Sequence, residues 1–291
     1  MYLKIGKETG SNIRIFHMKN KEKPDAALHF REIRLFTETV MNTAKGYRFV
    51  KENNRTSSFS EYPFLIGMFQ TDIRMRPELK EVNANRIKNM KKSCRCIDGI
   101  VLEPNDVFSF NRVVGERSEA RGYLKGPVIV GGELTHSSGG GVCQISTTLF
   151  NCALHSGLKV LEKHNHSIDI WGDQRFIALG LDAIVVFGRR DLKFKNDLPF
   201  RIAISMQVSE DERKVICKIA SERETQRKII VLSHIIKKIP PEPINRKIDV
   251  NSYRIINGWL VETKRYTEDA KGKKLTYFKR ERYTPECKRI R

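Results

Sequence analysis

Two stretches of the chain space their apolar residues as an amphipathic helix does. The first begins near Asn83, carries Cys94 on its apolar side and stops at Asp98-Gly99, a pair typical of a helix end. The second covers residues 145–154 and stops at Gly157, because glycine is the usual residue after a helix terminus. The pattern therefore predicts two helices and makes Cys94 a core residue.

Short runs of β-branched and aromatic residues between turn signals predict the strands. The predicted strands cover residues 107–110, 127–132, 182–187, 200–206 and 215–219. We therefore expect an α+β fold, with a mixed or antiparallel sheet and a few helices. One of these helices starts at the run Gly139-Gly140-Gly141-Val142-Cys143-Gln144.

The carboxy-terminal residues predict a β-hairpin tail. Asn257-Gly258 favours a type I′ turn between strands 253–256 and 259–262, because this dipeptide accepts positive φ at both central positions. Lys271-Gly272-Lys273 is expected to turn the chain into a third strand over 275–280. The tail either packs on the rest of the fold or is loosely appended to it.

These elements divide the chain into three parts. Residues 1–70 form a poorly specified leader with a helix expected over 30–41, and residues 71–225 form the central domain. Residues 226–291 form a linker and the hairpin tail. The prolines near 239–243 mark the linker, since proline-rich segments separate structural units.

The chain is strongly basic, with 54 Lys and Arg against 34 Asp and Glu and a net charge of +20. This charge attracts anionic partners at low salt. The basic residues are spread along the whole chain, without the patterned aromatic residues of an RNA-binding sheet or a recognisable reading helix. Sequence-specific nucleic-acid binding is therefore not expected, whereas contact with an anionic polymer or a membrane surface stays open.

The amino terminus and the cysteines bear on the cellular compartment. Residues 1–7 are charged and lack the apolar core and cleavage site of a secretory signal. The longest apolar runs, such as 184–187 and 229–232, are far shorter than the roughly 20 residues that cross a bilayer. We therefore expect a soluble, cytoplasmic protein, with membrane-surface association left open, whose six cysteines are thiols.

Cys143 is the candidate nucleophile. It follows three glycines and lies in the first turn of the second predicted helix, where unpaired N–H groups and the helix dipole favour a thiolate. The same N–H groups, with those of Gly140 and Gly141, suit an oxyanion formed when the sulfur attacks a carbonyl. The alternative is a structural cysteine buried beside a tight turn.

His164 and His166 supply two imidazoles about twenty residues after Cys143, and we expect only one of them to face the sulfur. Both rings would project to the same side of an extended chain, which also suits a metal ion. Without a second HxH or CxxC pair, a zinc site is the weaker alternative. Asp182 is the candidate that orients the base, because a carboxylate in an apolar strand needs a polar partner, although a turn or backbone contact explains it equally well.

Several short motifs follow one another in the order and spacing of VanW domains. They are Phe108-Ser109-Phe110-Asn111, Val114-Gly115-Glu116-Arg117, Gly122-Tyr123, the glycine-cysteine run continued through residues 145–151, His166-Ser167, Gly180-Leu181-Asp182-Ala183 and residues 191–196. The chain therefore resembles the VanW family over roughly residues 83–204, and more weakly over 253–283.

The resemblance implies a role in the bacterial cell wall. VanW proteins accompany B-type vancomycin-resistance clusters, and VanW domains of exported clostridial proteins look like a noncanonical class of L,D-transpeptidase that acts through the family cysteine. That cysteine matches Cys143. His166 would then be the base, and Asp182 stays the candidate for the group that orients it. The expected partner is a peptidoglycan stem peptide or precursor. The alternative is a precursor-binding or resistance-accessory protein without turnover. Transpeptidation takes place outside the membrane and no export is predicted, so either the substrate is a cytoplasmic precursor, or export is unconventional, or the domain is such a binding or accessory module.

Substrate contacts are expected around the nucleophile, and neither a cofactor nor a metal is expected. The candidate contact residues are Gly139, Gly140, Gly141, Gln144, Ser146, Arg117 and His164. Arg117 suits a substrate carboxylate, because guanidinium binds carboxylate through two parallel hydrogen bonds. A surface salt bridge is the alternative for Arg117.

Overall fold

The computed structural model describes residues 2–5, 15–18, 46–75, 80–130, 133–242 and 253–289. The chain divides into two compact units, Met1–Gly46 and Tyr47–Arg291. In the first unit, strand β1 (Tyr2–Ile5) pairs antiparallel with β2 (Ile15–Met18). The helix expected over 30–41 lies outside the described residues.

Three α-helices lie in the described part of the second unit: α1 (Lys80–Ile97), α2 (Phe110–Val114) and α3 (Val142–His155). The two helices predicted from apolar spacing, α1 and α3, are confirmed. Each is followed by a glycine with positive φ, +80° at Gly99 and +79° at Gly157, a conformation that ends helices readily. Among the described residues, no helix combines the length and apolar character needed to cross a membrane.

The strands of the second unit make up most of its regular structure. They are β3 (Arg48–Phe49), β4 (Phe64–Asp72), β5 (Val101–Leu102), β6 (Asp106–Ser109), β7 (Lys125–Val130), β8 (Glu133–Ser138), β9 (Lys159–Glu162), β10 (Lys193–Lys195), β11 (Ile202–Ser209), β12 (Lys214–Ser221), β13 (Lys228–Ile239), β14 (Tyr253–Ile256), β15 (Gly258–Asp269), β16 (Gly272–Tyr283) and β17 (Glu286–Arg289). Short 3-10 turns cover Phe59–Glu61, Glu119–Arg121 and Gly172–Gln174.

The strands of this unit form several small sheets. Two of these have four strands, in the orders β3-β6-β10-β9 and β4-β12-β11-β5, and a third has the order β13-β15-β16. Two pairs, β7-β8 and β14-β17, complete the set in the described residues. The β3-β6 pair is parallel and the other strand pairs are antiparallel. The predicted α+β fold with a carboxy-terminal hairpin is confirmed.

Helix α3 lies at the centre of the hydrophobic core. Between Val142 and Leu154, Cys143 is the single residue of α3 that is not buried. The helix packs against β4, β12 and α1, and α1 contributes the buried Met90 and Cys94 to the same core. Because apolar burial dominates folding, this helix is firmly fixed, and so is the position of its first turn.

The turn predicted at Asn257-Gly258 is wrong. These residues connect strands of different sheets, because β14 pairs with β17 while β15 pairs with β13 and β16. A Cβ added at Gly258 would lie 2.5 Å from the carbonyl oxygen of Tyr283, so this glycine is needed for close packing. The turn expected at Lys271-Gly272-Lys273 is confirmed, since β15 reverses into β16 there, with φ of +105° at Gly272.

The strand predicted over residues 182–187 is also wrong. Apart from a single bridge at Val186, this apolar run has no ladder partner in the described residues. Its backbone bonds instead to side chains and to another loop. The Ala183 N–H donates to Thr147 Oγ1 at 3.0 Å, and the Ile184 N–H donates to the His164 carbonyl at 2.8 Å. Apolar composition predicted burial here, but it could not tell a strand from an extended segment packed on a helix.

Candidate functional site

The three glycines before α3 form a tightly packed loop. Gly141 caps the helix with a φ of +96°, in the left-handed region that glycine adopts without strain. A Cβ added at Gly140 would lie 2.4 Å from the carbonyl carbon of Gly126 in β7. The Asn89 amide donates to the carbonyls of Gly140 and Leu124, at 3.1 and 2.8 Å. The loop therefore needs glycine for its own packing, and this packing fixes the start of α3.

Cys143 is the second residue of α3 and keeps partial access to solvent. Its sulfur lies 4.0 Å from the carbonyl oxygen of Val185. The amides of Val142 and Gln144 donate to the carbonyls of Gly139 and Gly141, at 3.2 and 3.0 Å. The sulfur therefore sits at the amino terminus of a buried helix, where the dipole favours negative charge.

His166 lies between Cys143 and Asp182. Its ring Nδ1 is 2.6 Å from Asp182 Oδ2, and its backbone N–H donates to the same oxygen at 2.7 Å. The His166 imidazole and the Cys143 thiol also shift each other's pKa. Because Nδ1 is engaged by Asp182, Nε2 is the nitrogen left to face the sulfur. The structure thus brings together the three residues that the sequence singled out as nucleophile, base and orienting group.

The hydroxyl of Tyr283, at the end of β16, holds the other oxygen of Asp182. Tyr283 Oη donates to Asp182 Oδ1 and accepts from the Gly180 N–H at 2.8 Å. Burial, together with the Asp182 charge, raises the pKa of Tyr283 far above its usual range, so the phenol remains a donor. Sequence reasoning missed Tyr283, which lies 101 residues beyond Asp182 in a strand with no motif of its own.

A buried ion pair connects β16 to the same region. Lys163 and Glu281 have side chains that are 0% and 3% exposed, and the Lys163 ammonium donates to the Glu281 carboxylate. It also donates to the Gly180 carbonyl at 3.1 Å and lies 5.3 Å from the centre of the Phe150 ring. The carboxy-terminal strands therefore pack directly behind the cysteine and histidine.

The charges of the site favour a thiolate beside an imidazolium. Burial raises the pKa of Cys143, but the hydrogen bond and charge of His166 and the charge of Arg117 outweigh it and lower the pKa overall. Burial lowers the pKa of His166, but hydrogen bonds to Asp182 and Cys143 raise it to about 9. For Asp182, burial is outweighed by His166 and Lys163, which hold its pKa well below the usual range. Both shifts favour the thiolate and imidazolium over the neutral pair.

Two of the expected substrate contacts have buried side chains engaged within the protein. The Gln144 amide donates to Thr71 Oγ1 at 3.1 Å and to the Asp72 carbonyl at 2.9 Å. The Ser146 hydroxyl donates to the Ala183 carbonyl at 2.6 Å. Both side chains therefore anchor α3 to its neighbours and do not face an open site.

The two histidines of the 164–166 segment point to different partners. His164 Nε2 lies 3.0 Å from Glu162 Oε1, away from the Cys143 contact made by His166. Among the described residues, no group of three or more His, Cys, Asp and Glu side chains is arranged to hold a metal ion. The two rings therefore bond to different carboxylates, Glu162 and Asp182.

The fold and the site define an α+β protein with a Cys-His-Asp constellation at the amino terminus of a buried helix. Residues 85–219 match the family model described as VanW like protein. This region of the chain is therefore similar to VanW proteins.

Two curated relatives match the chain. It is 32% identical over 170 residues to the Uncharacterized protein YoaR of Bacillus subtilis (strain 168), covering 58% of this chain and 52% of that protein. It is 30% identical over 143 residues to the Vancomycin B-type resistance protein VanW of Enterococcus faecalis (strain ATCC 700802 / V583), covering 49% of this chain and 51% of that protein. The chain thus spans about half the length of each relative. No solved structure gives a significant match.

Proposed function

We propose that this protein is a cysteine-dependent acyl transferase of the L,D-transpeptidase type that acts on peptidoglycan stem peptides or their precursors. The observation that supports this best is the position of His166, whose Nδ1 lies 2.6 Å from Asp182 Oδ2 and whose imidazole lowers the pKa of Cys143. Cys143 is also the residue of α3 before His155 that retains solvent access. A thiolate that is both activated and reachable is what nucleophilic catalysis requires.

The reaction would proceed in two acyl transfers. The Cys143 thiolate attacks the carbonyl carbon that joins the third residue of the stem to D-Ala. The C–N bond then breaks, and D-Ala leaves with the proton that His166 donates to its nitrogen. The stem is then held as a thioester. An amine of a second stem attacks that carbonyl, His166 takes the amine proton, and the C–S bond breaks to return the thiolate.

Asp182 and the helix terminus have supporting roles in this proposal. Asp182, held by Tyr283, keeps His166 in the orientation that directs Nε2 to the sulfur. The amides of Gly140, Gly141 and Cys143 are the donors we assign to the oxyanion of each tetrahedral intermediate. Removal of one such donor typically costs about 10²–10³ in rate.

We further propose that the physiological setting is resistance to glycopeptide antibiotics or cell-wall remodelling related to it. The support is the match of residues 85–219 to the VanW family model and the 30% identity to a protein named for vancomycin B-type resistance. Stem peptides are the chemistry that connects such a setting to a cysteine acyl transferase. A protein that binds stem peptides without turnover is the competing function.

Incubation with a tetrapeptide stem and a second stem as amine acceptor tests the proposal. We expect release of D-Ala and formation of a cross-linked product, both detected by liquid chromatography and mass spectrometry. Cys143→Ser should abolish both, whereas Cys287→Ser, a change in β17, should retain them. Saturable binding of the stem without D-Ala release in the wild-type protein would instead establish the non-catalytic function.

A further inference from the structure

Arg117 occupies a defined position beside the nucleophile. A Cβ added at Gly139, in the loop that leads into α3, would lie 2.6 Å from Arg117 Cβ. On its other side, the guanidinium carbon lies 5.8 Å from the centre of the Phe187 ring. Phe187 lies two residues after Val185, and the Val185 carbonyl contacts the Cys143 sulfur. Arg117 is therefore held between the two segments that flank the sulfur.

The guanidinium of Arg117 is only partly engaged by the protein. Its Nη1 donates to Asn111 Oδ1 at 2.8 Å and to the Gly115 carbonyl at 2.9 Å. Among the described residues no carboxylate forms an ion pair with Arg117, and its hydrogen bonds both leave from Nη1. A half-buried cation without a carboxylate partner is stabilised when a carboxylate joins it. The surface salt bridge that was the alternative for Arg117 is therefore not present in this part of the chain.

The charges of Arg117 and Cys143 shift each other's pKa. Burial lowers the pKa of Arg117, and the group that opposes this most strongly is Cys143, ahead of Tyr123 and Asp191. The same charge helps to lower the pKa of Cys143. The guanidinium thus acts on the reacting sulfur, while Nε and Nη2 have no acceptor among the described residues and present the two-donor edge that carboxylates prefer.

We propose that Arg117 binds a carboxylate of the acyl-donor ligand, so that the ligand is an anionic peptide with a carboxylate close to the carbonyl that Cys143 attacks. This inference rests on the proposed function and specifies its substrate class. Asn111 and Gly115 orient the guanidinium through Nη1, and Nε and Nη2 bind the ligand. A neutral peptide of the same length would lack this contact and would be a poorer donor.

Alkylation of Cys143 with iodoacetate and iodoacetamide tests the proposal, because the two reagents are nearly isosteric and differ by one carboxylate. Both react with the same thiolate at a given pH, so the ratio of their rate constants is independent of any change in the cysteine pKa. Peptide mapping restricts the measurement to Cys143. Arg117→Gln removes the charge, Arg117→Lys retains it, and Arg95→Gln removes a charge from an exposed position of α1.

We expect Arg117→Gln to lower the iodoacetate-to-iodoacetamide ratio by about fivefold, the order of effect of one charge in a partly solvated site. Arg117→Lys should retain most of the wild-type ratio, and Arg95→Gln should leave it unchanged. An equal ratio in the wild-type and Arg117→Gln proteins would overturn the carboxylate site while leaving the nucleophile intact. If neither reagent modified Cys143 in the native protein, the proposed function itself would fail.

Discussion

Replacing His166 by alanine should move the pH dependence of Cys143 alkylation to higher pH. In the wild-type site, the hydrogen bond and charge of His166 outweigh the burial of the sulfur and lower the pKa of Cys143. The His166→Ala variant removes the largest contributions that stabilise the Cys143 thiolate, while the burial of the sulfur, which raises its pKa, remains. Its cysteine should therefore titrate above the free-thiol value of about 8.5, whereas the wild-type thiolate should persist below it.

The size of the effect on the alkylation rate follows from the change in the cysteine pKa. If the pKa rises by about one, the thiolate fraction well below the midpoint falls about tenfold, which corresponds to about 1.4 kcal/mol. The more basic thiolate is intrinsically more nucleophilic, with a Brønsted coefficient of about 0.4–0.5. The two effects partly cancel, so the same rise in pKa should slow alkylation at neutral pH by about threefold. The pH midpoint is therefore a more sensitive measurement than a single rate.

The assay is the rate of iodoacetamide alkylation of Cys143 between pH 5 and 10, followed by peptide mapping. His164→Ala is the matched control, because His164 bonds to Glu162 and not to Cys143. It should leave the midpoint unchanged. Identical profiles in the wild-type, His164→Ala and His166→Ala proteins would refute the Cys-His pair and leave the helix terminus and the Arg117 charge as the activating features.

Three further predictions concern the other cysteines and the carboxy-terminal strands. Cys143 should be the first of the six thiols to react with iodoacetamide in the native protein, since burial raises the pKa of Cys94 to about 12 and also raises that of Cys217; preferential labelling of either in peptide maps would contradict this. Tyr283→Phe should lower the free energy of unfolding by about 1–3 kcal/mol in urea titrations, because Asp182 Oδ1 loses its donor; a change below about 0.5 kcal/mol would show that this bond is not important. Lys163→Met should lower the free energy of unfolding by about 3–5 kcal/mol, because Glu281 keeps a buried charge and loses its closer partner, with the Lys279 ammonium left at 4.0 Å. The double variant Lys163→Met, Glu281→Leu should recover most of the loss, and equal stability of the single and double variants would contradict the ion pair.

The elements around the nucleophile could be predicted from sequence because their signals are local. The apolar spacing of α1 and α3 and the glycines that follow each helix lie within one element. Three glycines before a helix also made Cys143 conspicuous. Its proximity to His166 and Asp182 was expected from chemistry and from the order of motifs, and the structure places the three together.

The contributions of distant strands could not be predicted in the same way. Tyr283 lies in a strand whose alternation indicates a buried face but does not show which sheet or loop that face covers. The contact of Lys163 with Glu281 joins residues 118 positions apart, and a lysine is rarely expected in a core. Asn257-Gly258 was misleading because turn propensity is local, whereas long-range pairing of β15 with β13 and β16 decides its conformation.

The most direct test of the acyl-transfer proposal is intact-protein mass spectrometry after brief incubation with a tetrapeptide stem and no acceptor amine. We expect a mass increase equal to the stem minus its terminal D-Ala, with the adduct mapped to Cys143 as a thioester that hydroxylamine removes. The adduct should be absent from Cys143→Ser and retained in Cys287→Ser. D-Ala release without dependence on Cys143, or an adduct on any other residue, would contradict the assignment of Cys143 as the nucleophile.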